Sequence, residues 1–363
     1  MMLVDCGQQR ADRRGGLSMK AAIFVKPGQM EARELPQPVV EFPTDAVIKI
    51  VRACVCGSDL WWYRGLSKRP ANEPVGHEAI GVVESVGAAV TAVKPGDFVI
   101  VPFTHGCGHC AACLAGFEGN CLTFHHQGSP VGYQAEYLRY ENADWSLVKV
   151  PGQPEDYTDA QLNDLLALSD VMATGYHAAV SAEVHAGDTV VVMGDGAVGL
   201  SGVLSAKLLG AKRIIAMSRH EDRAQLAREF GATDVVPERG DLAVQRVMEL
   251  TAGAGADAVL ECVGNEQSVA TAVQVGRPGS VVGRVGIPQK PEMNTNALFW
   301  RNIGLRGGIA SVTTHDRDVL LQAVLNGQIH PGKVFTQRFD LDHIQDAYAA
   351  MDQRTAIKSL IIM

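Results

Sequence analysis

No run in this 363-residue chain is apolar for the length of a bilayer crossing, so no membrane span is expected. No apolar segment follows a basic stretch at the start, so a secretory leader is not expected either. Positive charge is in short supply: 32 Lys and Arg stand against 40 Asp and Glu, a net −8. That balance argues against nucleic acid or an anionic lipid surface as partner, since either would need a basic face. Internal repeats and low-complexity linkers are missing too. What remains is ordinary globular composition, 47% apolar and 20% charged, over a length that accommodates two domains with a core each. Residues 1–18 are polar and unpatterned, and read as a disordered arm or an over-long start ahead of Met19. With no leader, the expected compartment is the cytoplasm, where thiols stay reduced and clustered cysteines mean metal more often than disulfide.

Such a cluster is present. Cys107, Cys110, Cys113 and Cys121 fall in "CGHCAACLAGFEGNC", spaced C-x2-C-x2-C-x7-C. Four thiolates so spaced can wrap one ion tetrahedrally, and a shell of four sulfurs leaves no position for substrate, so a closed structural zinc is expected. Gly116 and Gly119 let the loop turn tightly. Free or pairwise-oxidised thiols in a surface loop are the plainer alternative. His105 and His109, in the same loop, read as solvent-facing because the thiolates already complete the shell.

Residues 19 to about 150 hold short β-branched runs, "KAAIFV", "AVIKIVRACV", "AIGVVESVG" and "DFVIVPF", separated by turn signals. They resemble a small irregular β-barrel. From about 172, strand and helix alternate, beginning "TVVVMGDGAVGL" and ending "SVVGRVG" and "IGLRGGIA". That pattern is an α/β fold with a doubly wound parallel sheet. The final "AIKSLIIM" is a lone strand that needs partners, and most plausibly returns to the first domain. The expected division is 19–171 completed by 312–363, with 172–311 between them.

Gly194, Gly196 and Gly199 stand as "GDGAVG" between a strand and a helix. The first makes the turn, the second admits a pyrophosphate and the third lets helix meet sheet, with the helix N-terminus facing the phosphates. A tight structural turn is the alternative. The acid that holds an NAD ribose is missing where the second strand ends in Ser218, Arg219 and His220. A guanidinium there suits a 2′-phosphate, so NADP is preferred over NAD, tempered by Glu221 and Asp222 just beyond. Arg219 as a solvated loop residue is the alternative.

One Cys, one His and one acid stand apart in sequence: Cys56 in "CVCGSDL", His77 in "VGHEAIG" and Asp170 in "LALSDVMATGYHAAV". Three such ligands would leave a zinc's fourth position open for water or substrate. Asp170 also reads as a plain helix N-cap. The motifs "CGSDL", "GHEAIGVVESVG", the four-cysteine lobe, "MATGYHA", "GDGAVG" and "GATDVV" together resemble the zinc-dependent, medium-chain alcohol dehydrogenase family, from about Met19 to Met363.

The resemblance implies a GroES-like catalytic domain, a Rossmann domain and two zinc ions per chain. Cys56, His77 and Asp170 would hold the catalytic zinc, and Cys107, Cys110, Cys113 and Cys121 the structural one. Glu78 would lie behind the catalytic ion and Ser58 would bond the alcohol oxygen. Thr174 would meet the nicotinamide and Lys358 the pyrophosphate. Ala197, Val198, Val263, Gly264 and Val285 join the candidate cofactor contacts, and Cys54 is a packed thiol. The implied reaction is reversible hydride transfer between a primary or secondary alcohol and NADP(H) or NAD(H). A zinc-free enone or quinone reductase and a silent NAD(P)H-binding protein are the competing readings. One departure stands out: Trp61 occupies the place of a proton-relaying His, and indole cannot relay a proton. The run Trp61–Trp62–Tyr63 is expected to line the substrate pocket, hinting at an apolar or aromatic substrate, with core packing as the alternative. By family analogy the chain is a dimer or tetramer, with "IGLRGGIA" as candidate edge strand.

Overall fold

The computed structural model describes residues 17–123, 132–289, 294–310 and 314–363. The arm expected over 1–18 lies outside them except for its last two residues. The chain opens with a hairpin of β1 (Ser18–Lys26) and β2 (Gln29–Pro36), turned at Pro27–Gly28, where Gly28 adopts φ +78°. Then come β3 (Ala46–Cys54), the short β4 (Glu73–Pro74), β5 (Ala79–Val86), β6 (Phe98–Val101), β7 (Tyr137–Tyr140) and β8 (Val148–Val150). Three short helices interrupt them: α1 (Asp59–Tyr63), α2 (Ala111–Leu114) and α3 (Ala143–Ser146). β4 pairs with β1, while β3, β5, β6 and β8 run side by side in a second, antiparallel sheet, with β7 also on β3.

Two helices lead out of this β-rich part. α4 (Asp159–Ala167) starts at a capping box, Thr158 and Gln161 bonding each other's backbone N–H, and α5 (Val171–Ser181) follows. The alternating region then delivers β9 (Thr189–Met193), α6 (Ala197–Leu208), β10 (Arg213–Met217), α7 (Glu221–Phe230) and β11 (Asp234–Val236). It continues with α8 (Gly240–Leu250), β12 (Ala256–Glu261), α9 (Glu266–Val275), β13 (Gly276–Arg284), α10 (Thr295–Arg301) and β14 (Gly304–Gly307). All six strands are parallel, in the order β11-β10-β9-β12-β13-β14. The order reverses beside β9, which is where a doubly wound sheet opens a crevice at its carboxyl edge.

After α11 (Thr314–Leu325) the chain crosses back. β15 (Phe335–Asp340), α12 (Ile344–Asp352) and β16 (Lys358–Ile362) follow, and the two strands extend the sheet of β3, β16 lying antiparallel to β3 with Leu360 opposite Cys54. The lone terminal strand therefore finds its partners where its isolation requires. Leu320, Leu321 and Val324 of α11 share one core with Leu165 of α4, Phe98 of β6 and Val190 of β9, so this helix packs where the cores of the two sheets run together. A separate core under the barrel gathers Phe24, Ile48, Trp62, Tyr133, Tyr140 and Tyr348. Each large apolar side chain buried this way contributes about 1.5–3 kcal/mol.

Candidate active site

The glycine-rich turn follows from β9. Gly194 takes φ +109°, a region closed to most side chains. A Cβ on Gly199 would lie 2.1 Å from the Gly194 carbonyl oxygen, so helix and strand meet at that spacing only with glycine. A Cβ on Gly196 would meet nothing within 4 Å, because the position, at the N-cap of α6, faces a cleft. That cleft, about 1750 Å³, runs between the sheets. It is large enough for a dinucleotide and a small substrate together. Thr174, Gly194, Gly196, Ala197, Val198, Gly199, Arg219, Val263, Val285 and Lys358 line it. Ser218 and Gly264 do not. Ser218 is buried and donates to Asp195 Oδ2 (2.9 Å), while the Gly264 N–H donates to Glu261 Oε1 (2.8 Å).

At the far end of the cleft, an acid does stand beside the end of the second strand. It comes from the glycine-rich turn itself: Asp195, bonded by Ser218 and 3.5 Å from Arg223. Its charge also acts on Arg239, whose guanidinium burial and Arg219 together weaken. Arg223 and Arg239 thus face one carboxylate, with Arg219 close enough to Arg239 to act on it.

At the near end, ligand atoms of Cys56, His77, Glu78 and Asp170 all lie within 4.8 Å of one another. Cys56 ends the extension of β3, His77 and Glu78 lead into β5, and Asp170 precedes α5. Cys56 Sγ is 3.5 Å from Asp170 Oδ2, and His77 Nε2 is also 3.5 Å from that oxygen. Asp170 holds the N-cap position of α5, but its side chain makes no capping bond. Its other oxygen accepts from the Thr174 hydroxyl at 2.7 Å, which turns the carboxylate toward Cys56 and His77. Burial and the neighbouring Asp170 and Glu78 push the Cys56 thiol up. Burial opposes charge on His77, but Asp59, Cys56 and Asp170 outweigh it and hold the imidazole well above its ordinary range. Glu78 is fully buried, and its Oε2 has no hydrogen-bond partner. Three acidic or soft donors around one histidine, with an orphaned carboxylate oxygen beside them, are a donor set that fits a zinc ion.

Two residues support the donors in roles that the sequence reading did not assign to them. Asp59 accepts from the Cys56 backbone N–H at 3.0 Å and places Oδ1 3.6 Å from His77 Nδ1, so one carboxylate anchors Cys56 and sets negative charge beside His77. Lys358, expected at the pyrophosphate, is 1% exposed and donates to Glu78 Oε1 at 2.6 Å and to the Val55 carbonyl at 3.1 Å. Its ammonium is committed to Glu78, although the residue forms part of the cleft wall. Ser58 lines the cleft without capping α1.

The aromatic run divides. Trp61 lines the cleft, but Trp62 and Tyr63 are buried. Trp62 sits edge-on to Phe24 at 4.9 Å and 5.5 Å from Tyr348, so those two residues pack in the core and do not line the cleft. Cys54 is a buried thiol, and burial with the neighbouring Glu78 pushes it well up.

The four-cysteine lobe also converges, with all sulfurs within 4.8 Å. Cys107 to Cys113 and Cys110 to Cys121 are each 3.9 Å apart, and a tetrahedron with about 2.3 Å metal–sulfur bonds has edges of about 3.8 Å. Backbone N–H groups of Cys110 and Cys113 point at sulfurs, at 3.3 and 3.5 Å. Burial opposes ionisation of Cys107, but N–H groups of His109 and Cys110 bring it down to about 5. Burial drives Cys113 up to about 12. His105 is not solvent-facing. It is buried, stacked 4.2 Å from Tyr140, with Nε2 3.1 Å from the Tyr133 hydroxyl, and burial lowers it to about 4. His109 is exposed.

A doubly wound sheet with a phosphate turn, joined to a β-rich domain that presents a Cys/His/acid cluster into the shared cleft, defines a two-domain dehydrogenase. Residues 42–152 match the alcohol dehydrogenase GroES-like domain, and residues 197–325 match the zinc-binding dehydrogenase domain. A probable zinc-binding alcohol dehydrogenase of Mycobacterium tuberculosis is 33% identical, over 93% of this chain and 86% of that one. An alcohol dehydrogenase of Cupriavidus necator is 29% identical, over 95% and 98%. The solved alcohol dehydrogenase TADH from Thermus sp. ATN1 superposes with a TM-score of 0.86 at 28% identity, covering 95% of this chain and 99% of that one. The chain belongs to the medium-chain dehydrogenase/reductase family, among its zinc-type alcohol dehydrogenases.

Proposed function

We propose that this protein is a zinc-dependent alcohol dehydrogenase that interconverts a primary or secondary alcohol and its carbonyl compound with NADP(H) in preference to NAD(H). The observation that carries the reading is the convergence of Cys56, His77 and Asp170 in the same cleft onto which Gly194, Gly196 and Gly199 open. Cys56, His77 and Asp170 would hold the zinc, which would supply polarisation of the substrate oxygen, and a nicotinamide bound in the cleft would supply or accept the hydride.

The protein's own residues do the rest. Asp59 sets negative charge beside His77, and Thr174 holds Asp170 in its direction. Ser58, on the cleft wall, would take the alcohol proton and release it toward solvent, because Trp61 beside it offers no acceptor. Lys358 holds Glu78 behind the donors. Gly196 gives the pyrophosphate room against the N-terminus of α6. Arg219, Arg223 and Arg239 outnumber Asp195 at the adenosine end, which favours a 2′-phosphate over a bare ribose. Cys107, Cys110, Cys113 and Cys121 hold a second, closed zinc. The reading includes a cytoplasmic homo-oligomer. β14 at the sheet edge is largely exposed, beside exposed Phe299 and Trp300, and supports assembly through that edge.

Zinc per chain, measured in the wild type and in Cys56→Ala, with NADPH oxidation followed against aldehydes and ketones, tests the proposal. Two zincs falling to one, with activity lost, supports it. One zinc in both leaves the zinc-free reductase, and two zincs with NADPH bound but no turnover leaves the silent binding protein.

A further inference from the structure

One cation in the cleft has no task in hydride transfer. Arg69 lies on the catalytic-domain wall, between α1 and β4, in the stretch that leads to His77. Its guanidinium carbon sits 5.0 Å from the centre of the Trp62 ring, and Trp62 is itself wedged by Phe24 and Tyr348. Nη2 donates to the Pro74 carbonyl. Cation–π contact and a backbone anchor together hold the side chain in one orientation before any ligand arrives.

The group held this way is under-used. Among the described residues its nearest acid is Glu73, at 4.0 Å and half exposed, beyond hydrogen-bond reach. Nε is buried without a partner. The neighbouring Arg64, by contrast, is paired with Asp352 at 2.6 Å. Only two residues, Val75 and Gly76, separate the Pro74 anchor from His77, at most about 10 Å of chain. Burial and then Asp59 raise the Tyr348 hydroxyl while Gln134 and Arg69 lower it, so Arg69 and the metal-side acid act on one hydroxyl.

We propose that Arg69 binds a carboxylate at the far end of the substrate, so that the enzyme's preferred alcohol or aldehyde carries an acid several carbons from the reacting carbon. This rests on the dehydrogenase reading of the same cleft. A planar guanidinium fork matches a carboxylate in two parallel bonds, and a neutral chain end leaves it unpaired. Arg69 is a specificity residue, and the hydride and proton steps are the same with or without it.

The test compares a straight-chain primary alcohol with the same chain ending in a carboxylate, in wild type, Arg69→Met and Arg69→Lys. Met keeps the stacking on Trp62, and thermal melting identifies a variant that has lost its fold. The wild type is expected to favour the carboxylate in kcat/KM by about 10- to 100-fold at low salt, mainly through KM. Arg69→Met should abolish that preference and leave the neutral alcohol within about twofold, and Arg69→Lys should keep part of it. No preference in the wild type, or an equal loss for both alcohols, overturns the proposal. If neither alcohol is oxidised, the dehydrogenase reading fails by itself. Calorimetric binding of the two compounds then decides for Arg69, with tighter carboxylate binding in wild type than in Arg69→Met supporting it and equal affinities overturning it.

Discussion

Replacing Lys358 by methionine probes the charge balance behind the candidate zinc site. Lys358 is 1% exposed, Glu78 is 0% exposed, and their charged atoms are 2.6 Å apart. At an effective dielectric constant of about 20, that attraction is about 6 kcal/mol before the cost of burying both charges is deducted. Lys358→Met leaves Glu78 buried and facing Asp170 and Cys56 with no cation behind it, so the carboxylate either stays charged without a partner or takes up a proton. Breaking a buried pair from one side costs about 3–5 kcal/mol. The Val55 carbonyl also loses its donor. The double variant Lys358→Met/Glu78→Gln removes both charges at nearly constant volume and should recover most of the loss. Guanidinium chloride unfolding of the wild type, Lys358→Met, Glu78→Gln and the double variant, each with its zinc content measured, reads these terms as a double-mutant cycle. A single variant within about 1 kcal/mol of the wild type, or a double variant no more stable than the single, would refute the reasoning.

Three further outcomes are expected. Gly199→Ala drives a Cβ to 2.1 Å from the Gly194 carbonyl, so the turn must open. NADPH affinity by titration should fall at least about tenfold while both zincs stay bound. Arg219→Ala with Arg239→Ala should lower kcat/KM for NADPH by about 10- to 100-fold and that for NADH by less than about threefold, and equal losses would dismiss the 2′-phosphate assignment. Arg213 donates two bonds to Asp234, at 2.9 and 3.0 Å, which hold its carboxyl below the usual range. With the folded value lowered, this contribution is complete above about pH 4 and fades as pH falls through that lower value. The pair is partly exposed, so Asp234→Asn should cost only about 0.5 kcal/mol at pH 7 and nothing near pH 2.

Much of the architecture was legible because its signals are local. Strands β9, β10 and β12 read as buried β-branched runs, and the GDGAVG turn between β9 and α6 follows from glycine sterics alone. The four-cysteine lobe was legible for the same reason, since its donors lie within one loop. The supporting residues were not. β15 carries only an alternating burial pattern, and becomes a strand because β16 lies beside it. Trp61, Trp62 and Tyr63 are adjacent aromatics that the short α1 turns to different surroundings, and no composition rule separates them. His105 looks like a loop histidine until Tyr133 and Tyr140 close over it.

The sequence by itself determined the class of fold, the glycine turn, the two donor sets and the shortage of positive charge, because each is written in residue type and short spacing. Only the tertiary structure decided how the donors are supported. Asp195 reaches Ser218 across 23 residues, Lys358 reaches Glu78 across 280, and Asp170 turns from helix cap to candidate ligand beside Cys56, 114 residues away. The reason is that a buried charge takes whatever partner the packed chain brings within about 3 Å, and that partner is chosen by strand order and domain return, which no local pattern encodes.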